Sequence, residues 1–180
     1  MFSKMIPKTK SDIMQAFWEL YCEKRITKIT IKDIVTKAGY NRSTFYAYFK
    51  DIYDVLEQFE EYLLMDIQDI VTKRKIFEDS NNVLDLISMI YSEKGMYIDV
   101  LLGEKGDPLF TTKMKDIMRS SISNLMKTQT DGCYTNYLIE WTLSGMIAII
   151  SMWYSNGQKE SLEEISEMIY KVMSKSMVME

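Results

Sequence analysis

The sequence predicts an all-α chain of about nine helices, on three observations. Apolar residues recur at helical spacing almost throughout, no convincing alternating strand appears, and only Pro7 and Pro108 interrupt 180 residues. With 47% apolar residues the chain can bury a sizeable core, and its length suits one domain or one plus a small module.

The elements follow in order. From Lys10, the residues Ile13, Ala16, Phe17, Leu20 and Tyr21 make the first stripe, with Thr9 or Ser11 as its N-cap. Thr30 and Asp33 form a Thr-x-x-Asp variant of the capping box and open a short helix through Ile34, Val35 and Ala38, which Gly39 stops. Asn41 caps a third helix, Arg42 to Phe49. Asp51 and Asp54 open a long fourth one through Ile52, Val55, Phe59, Leu63 and Ile67, ending at the basic run Lys73-Arg74-Lys75. Asp79 to Asn82 reads as a loop or cap, and Val83 to Tyr91 as helix. The stretch 103–108, with two glycines and Pro108, reads as the clearest loop. Helices follow over Phe110 to Met126 and, after a break at Asp131-Gly132, over Tyr134 to Tyr154. The last runs from the Ser161-x-x-Glu164 box to about Met177.

Composition excludes several functions. There is no histidine, which removes Ser-His-Asp triads, Cys-His pairs and His-bearing zinc sites, and no catalytic residue or metal ligand set is assigned. Cys22 and Cys133 lie far apart without metal-type spacing and read as small core residues in a reducing compartment. The N-terminus lacks the apolar stretch of a signal peptide, and the uncharged window Trp141 to Tyr154 is too short to span a bilayer. A soluble cytoplasmic protein without membrane contact and without a cofactor is expected.

The net charge of −4 is unevenly spread. Residues 1–50 hold ten Lys and Arg against four Asp and Glu, a net +6, which leaves −10 for residues 51–180. Such a split suggests a nucleic-acid or membrane contact at the basic end. That end also carries three short helices with Gly39 at the second junction, the layout of a helix-turn-helix. Its recognition helix would begin at Asn41, followed by Arg42, Ser43 and Thr44. Arg42 can fork onto guanine O6 and N7 or hold a phosphate. Tyr46 and Tyr48 lie away from Phe45 and Phe49, where their hydroxyls can reach phosphate oxygens, and Lys50 adds charge at the end.

These residues carry a family resemblance. Residues 13–59, and above all 31–51 (IKDIVTKAGYNRSTFYAYFKD), resemble the DNA-binding domain of TetR-family transcriptional regulators. Thr30, Ile34, Ala38, Gly39, Thr44, Phe45, Tyr46, Phe49 and Lys50 match its pattern at fixed spacing. The resemblance implies that Thr30 binds a phosphate, that Arg42, Ser43 and Thr44 face base edges or nearby phosphates, and that Tyr46, Tyr48 and Lys50 contact the backbone. Three departures stand out. Ser43 replaces the usual glycine, Tyr48 the usual histidine, and Ile52-Tyr53 the usual Lys-Glu, so that Lys28 or Lys32 would take over one phosphate contact.

The resemblance divides the chain into a DNA-binding domain, 1–54, and a helical regulatory and dimerisation domain, 55–180. The helix after Tyr134 is apolar almost all round, which calls for burial on every side and hence for a partner subunit. Leu143, Ile147, Ile150 and Tyr154, with Ile165 and Ile169 of the final helix, are the expected dimer interface. Residues 145–165 (GMIAIISMWYSNGQKESLEEI) also resemble a Firmicute branch that includes regulators like the dihydroxyacetone-kinase activator DhaS. Tyr97, Phe110, Met114, Met118, Tyr137 and Trp141, with Tyr91, can line an adaptable ligand pocket or simply form core. Glu140 beside them can orient a cationic ligand or cap a surface.

The expected function is that of a homodimeric repressor, released from a palindromic DNA operator by a small-molecule effector. The alternative is a TetR-like regulator or activator controlled by a partner protein or by no effector. An all-α enzyme has little to work with here.

Overall fold

The computed structural model describes residues 6–73, 81–103, 106–126 and 134–177, which form eight α-helices and one short 3₁₀ turn, with no strand among them. The helices are α1 (Lys8–Glu23), α2 (Ile31–Ala38), α3 (Arg42–Tyr46), α4 (Ile52–Lys73), α5 (Asn81–Leu102), α6 (Pro108–Met126), α7 (Thr135–Ser155) and α8 (Leu162–Met177), with the 3₁₀ turn at Ile26–Lys28. The fold is all-α, as the hydrophobic spacing indicates. Arg74-Lys75, Asp79-Ser80, the Asp131-Gly132 break and Cys133 lie outside the described residues. No helix among the described residues is long and apolar enough to cross a membrane.

The chain divides into two compact units, 1–66 and 67–180, with the division inside α4. The first has a largely aromatic core: Phe17, Trp18, Tyr21, Phe45, Phe49 and Phe59 are all buried, with Ile13, Ile34, Val55 and Leu63 between them. Trp18 of α1 and Phe59 of α4 stack almost parallel, ring centroids 4.6 Å apart, and Phe45 and Phe49 lie 5.5 Å apart. Lys10 reaches across to the Tyr62 ring at 5.0 Å and donates to its hydroxyl.

Local chemistry explains several helix ends. At α2, Thr30 Oγ1 accepts from Asp33 N and Thr30 N donates to Asp33 Oδ2, both at 3.1 Å, so two end groups are satisfied reciprocally. Gly39 ends α2 at φ 75°, a left-handed conformation that costs glycine nothing. Ser161 and Glu164 close the same kind of box at α8. At α4, Asp51 accepts from Asp54 N, while Asp54 accepts from Lys50 N at 2.7 Å.

Four expectations are corrected. The first helix starts at Lys8 after Pro7, whose ring presets the backbone there, and neither Thr9 nor Ser11 caps it. The third helix is regular only to Tyr46, although Phe49 N still donates to Phe45 O at 3.0 Å. The fifth continues from Asn81 past Tyr91 and through Gly95 to Leu102. Cys22 is exposed, because it stands one position beyond the α1 stripe that ends in Tyr21.

In the second unit α5 packs on α6, α7 and α8, α6 packs on α7, and α7 on α8. Ile98, Leu101, Phe110, Ile139, Leu143 and Ile169 form its innermost core.

Candidate nucleic-acid interface

In the first unit, α2, the turn at Gly39 and α3 make a helix-turn-helix. Its turn is tied to α1 by Tyr40, whose hydroxyl donates to Asp12 Oδ2 at 2.9 Å. Asn41 caps α3, its Oδ1 accepting from Thr44 N at 2.9 Å, Thr44 Oγ1 at 3.0 Å and Ser43 Oγ at 2.7 Å. Both hydroxyl protons therefore point back at Asn41. Ser43 and Thr44 present oxygen lone pairs outward, which suit an amino donor such as adenine N6 or cytosine N4. Thr30 is held within its capping box: its hydroxyl accepts from Asp33 N, and its side chain also hydrogen-bonds the Asp33 carboxylate.

Arg42, Ser43, Tyr46 and Lys50 are exposed, as are Thr30, Lys32 and Asn41, while Thr44 and Tyr48 are half-buried. Phe45, between them, is fully buried and fixes which side of α3 faces out. The structure also sorts the cations of this unit. Lys24 is bound to Asp33 at 3.0 Å and Lys37 to Glu19 at 2.9 Å. The Lys24 hydrogen bond, with those from Thr30, holds the Asp33 carboxyl below its ordinary range. Arg42, Lys28 and Lys32 make no ion pair among the described residues, so their charge is available to an outside anion.

The second unit contains a cavity of about 30 Å³ between α5, α6 and α7, with walls from Ile90, Tyr91, Ile98, Met114, Met118 and Met146 among others. Of the residues expected at a pocket, Met114 and Met118 line it, Phe110 is buried, Tyr97 is half-buried, and Tyr137 and Trp141 stand exposed on α7, 75% and 54%. Leu143, Ile147 and Ile150, expected at a subunit interface, line this cavity instead, and Ile165 and Ile169 are buried within the unit. Only Tyr154 of that set is exposed.

A different stripe is exposed along α7, Tyr137, Trp141, Ala148 and Met152, with Tyr134 just before it, and α8 exposes Met168 and Val172. Sequence reasoning missed it because α7 has apolar residues on both sides. Glu140 holds two cations of α6, Lys115 at 2.6 Å and Arg119 at 2.8 Å, and these keep its carboxyl below the ordinary range. Its charge is already matched by the protein.

Asp99 went unnoticed in the sequence. It is 5% exposed, and burial lifts its carboxyl to about 6 even though a hydrogen bond from the Tyr91 hydroxyl pulls the other way. Burial and the neighbouring Asp99 push the Tyr91 hydroxyl above the ordinary tyrosine range.

A helix-turn-helix with a polar outer face, followed by an all-helical unit with an apolar cavity, defines the general class of helical transcription regulators. Residues 78–175 match the family described as the C-terminal region of transcriptional regulators (TetR_C_8). The chain belongs to the TetR family of transcriptional regulators. The fold agrees with that of a TetR transcriptional regulator from Streptococcus agalactiae, 21% identical, at a TM-score of 0.71 over 92% of this chain and 93% of that one. FadR from Bacillus subtilis, solved in complex with stearoyl-CoA, is 17% identical at a TM-score of 0.67, covering 91% and 96%. The dihydroxyacetone kinase operon activator DhaS is 18% identical at a TM-score of 0.58, covering 94% and 96%. No curated protein matches the chain.

Proposed function

We propose that the chain is a cytoplasmic, homodimeric repressor that reads a palindromic operator and is released from it by a small molecule bound in the second unit. The observation that carries DNA binding is the outer face of the helix-turn-helix. Arg42 without an ion pair among the described residues, lone pairs on Ser43 and Thr44, and exposed Tyr46 stand on one short helix backed by buried Phe45, with exposed Lys50 just beyond its end. Arg42 reads a base edge, Ser43 and Thr44 accept from base amino groups, and Thr30, Tyr46, Tyr48, Lys32 and Lys50 hold phosphates.

Dimerisation is supported by the exposed apolar stripe on α7 and α8, since so long an apolar surface is rare on a monomer. Two-fold symmetry then sets the half-sites about 34–36 Å apart or a multiple of that. The apolar cavity supports an effector, which acts by favouring a recognition-helix spacing that no longer fits the operator. Stearoyl-CoA in the Bacillus subtilis FadR structure is a precedent for a ligand with an apolar tail on this fold.

The test is a footprint of the purified chain on the DNA upstream of its own coding sequence at low and high salt. Protection of a two-fold symmetric site that fades steeply with salt supports the reading. Absence of any protection at low salt refutes it.

A further inference from the structure

Tyr91, Gly95 and Asp99 stand at i, i+4 and i+8 on α5, in one line along the helix. A Cβ built at Gly95 would come within 2.8 Å of the Tyr91 ring. The ring therefore lies flat along the helix over a residue with no side chain, and only so does its hydroxyl reach Asp99. A glycine inside a helix costs about 1 kcal/mol relative to alanine, and here it makes room for this ring.

The same tyrosine has two further contacts. Its ring is a wall of the apolar cavity and packs on Trp153 of α7, centroids 5.0 Å apart. Its hydroxyl accepts from Gln158 Nε2 at 3.3 Å, in the turn that joins α7 to α8. That turn is unusual, with Gly157 at φ 79° and Gln158 at φ 52°, two left-handed residues in succession. For glutamine this conformation costs about 1 kcal/mol or more and needs support from its surroundings. The support is the Gln158–Tyr91 bond, with Gln158 N donating to Trp153 O and Trp153 Nε1 donating to Glu160 O, both at 3.0 Å.

The cavity itself selects its occupant. Its other walls are isoleucine, leucine and methionine side chains, so a charged group would enter without a partner. At about 30 Å³ it holds little more than a water, and any larger guest must move a wall. Methionines yield without consequence, whereas Tyr91 cannot move without releasing the turn.

We propose that Tyr91 is a latch: an uncharged apolar molecule entering the cavity lifts its ring from Gly95, and the hydroxyl lets go of Asp99 and Gln158, freeing the α7–α8 turn. The inference rests on the reading of the second unit as ligand-responsive, and it names the ligand class and the part that moves.

The test uses the full chain labelled with 5-fluorotryptophan, whose Trp153 resonance is assigned with Trp153→Phe, together with hydrogen exchange at the Gln158 amide. Gly95→Ala, which drives the ring off its seat, should shift the Trp153 signal and speed Gln158 exchange about tenfold without ligand. Tyr91→Phe keeps the ring, loses both hydroxyl bonds and should speed that exchange similarly, which keeps the test usable if Gly95→Ala folds poorly. In the native chain 1-decanol should reproduce both effects, and the charged decanoate and decylammonium should not.

Unchanged Trp153 and Gln158 signals in both variants overturn the latch, as do binding of decanoate as strong as that of decanol or a lack of response to decanol. DNA binding is read separately. A chain that responds to decanol yet binds no DNA removes the proposed function and leaves the latch standing. One that loses DNA to an effector with Trp153 and Gln158 unmoved removes the latch alone.

Discussion

Replacing Asp99 by asparagine isolates a single titration. Burial lifts the Asp99 carboxyl from 3.8 to about 6, against the pull of the Tyr91 hydrogen bond. A carboxyl raised on folding binds its proton more tightly in the native state, so stability is fullest at low pH and falls as pH rises through the folded value. A difference of about two pKa units corresponds to about 3 kcal/mol in all, roughly half of it between about pH 5 and pH 7.5. The chain has no histidine, so the side chain that usually titrates in that window is missing. The Tyr91 hydroxyl bonded to it is pushed further above the ordinary tyrosine range and stays protonated throughout that window, and the Gln158 amide beside it carries no titrating proton.

Asp99→Asn keeps an oxygen to accept from Tyr91 but carries no charge. Denaturant unfolding of the full chain, followed by tryptophan fluorescence, should show the native protein losing about 1.5 kcal/mol more than the variant between about pH 5 and pH 7.5. Parallel stability curves for the two proteins would show that Asp99 ionises freely in the fold and refute the argument.

Other outcomes follow from the first unit and from α7. Arg42→Ala should flatten discrimination among operator variants in a binding titration; an equal loss on every sequence would make Arg42 a phosphate contact. Lys50→Ala should lower the slope of log K against log salt by about one for each protomer, while Lys24→Ala, already paired with Asp33, should leave it nearly unchanged. Thr30→Ala opens the capping box and should cost about 1 kcal/mol of stability by urea titration, most of it recovered by Thr30→Ser. Trp141→Glu or Met152→Glu should shift sedimentation from dimer to monomer. Leu143→Ala should instead lower stability by about 2–5 kcal/mol, since that side chain is fully buried within its own unit.

Much of the fold was legible because its signals are local. Thr30 with Asp33, Gly39, Asn41 and Ser161 with Glu164 each act within four residues, and all fall where the sequence places them. The ends that were missed depend on less local effects. Pro7 starts α1 by its fixed backbone angle and no side chain marks the spot, while α5 passes through Gly95 because Tyr91 covers it. The Tyr91–Gln158 contact joins residues 67 apart in sequence, and no periodicity announces it.

The candidate interfaces show where a one-dimensional pattern stops. On α7, Ile139, Leu143, Met146 and Ile150 form one stripe, and Tyr137, Trp141 and Met152 another. Helical spacing reveals both and cannot rank them, since aliphatic and aromatic side chains alike are apolar. Geometry ranks them. The aliphatic stripe is spent on α5 and α6, where it closes the cavity, and the aromatic one is left outside. Charge behaves the same way in the first unit. The +6 of residues 1–50 is a sum over cations of different fates, and Lys24 and Lys37 already face carboxylates of their own chain. The attraction for a polyanion therefore rests on fewer residues than the sum suggests, with Lys28, Lys32, Arg42 and Lys50 exposed in and around the helix-turn-helix. An electrostatic footprint should be counted from side chains without a partner, because a cation held by a neighbouring carboxylate has few counterions to release.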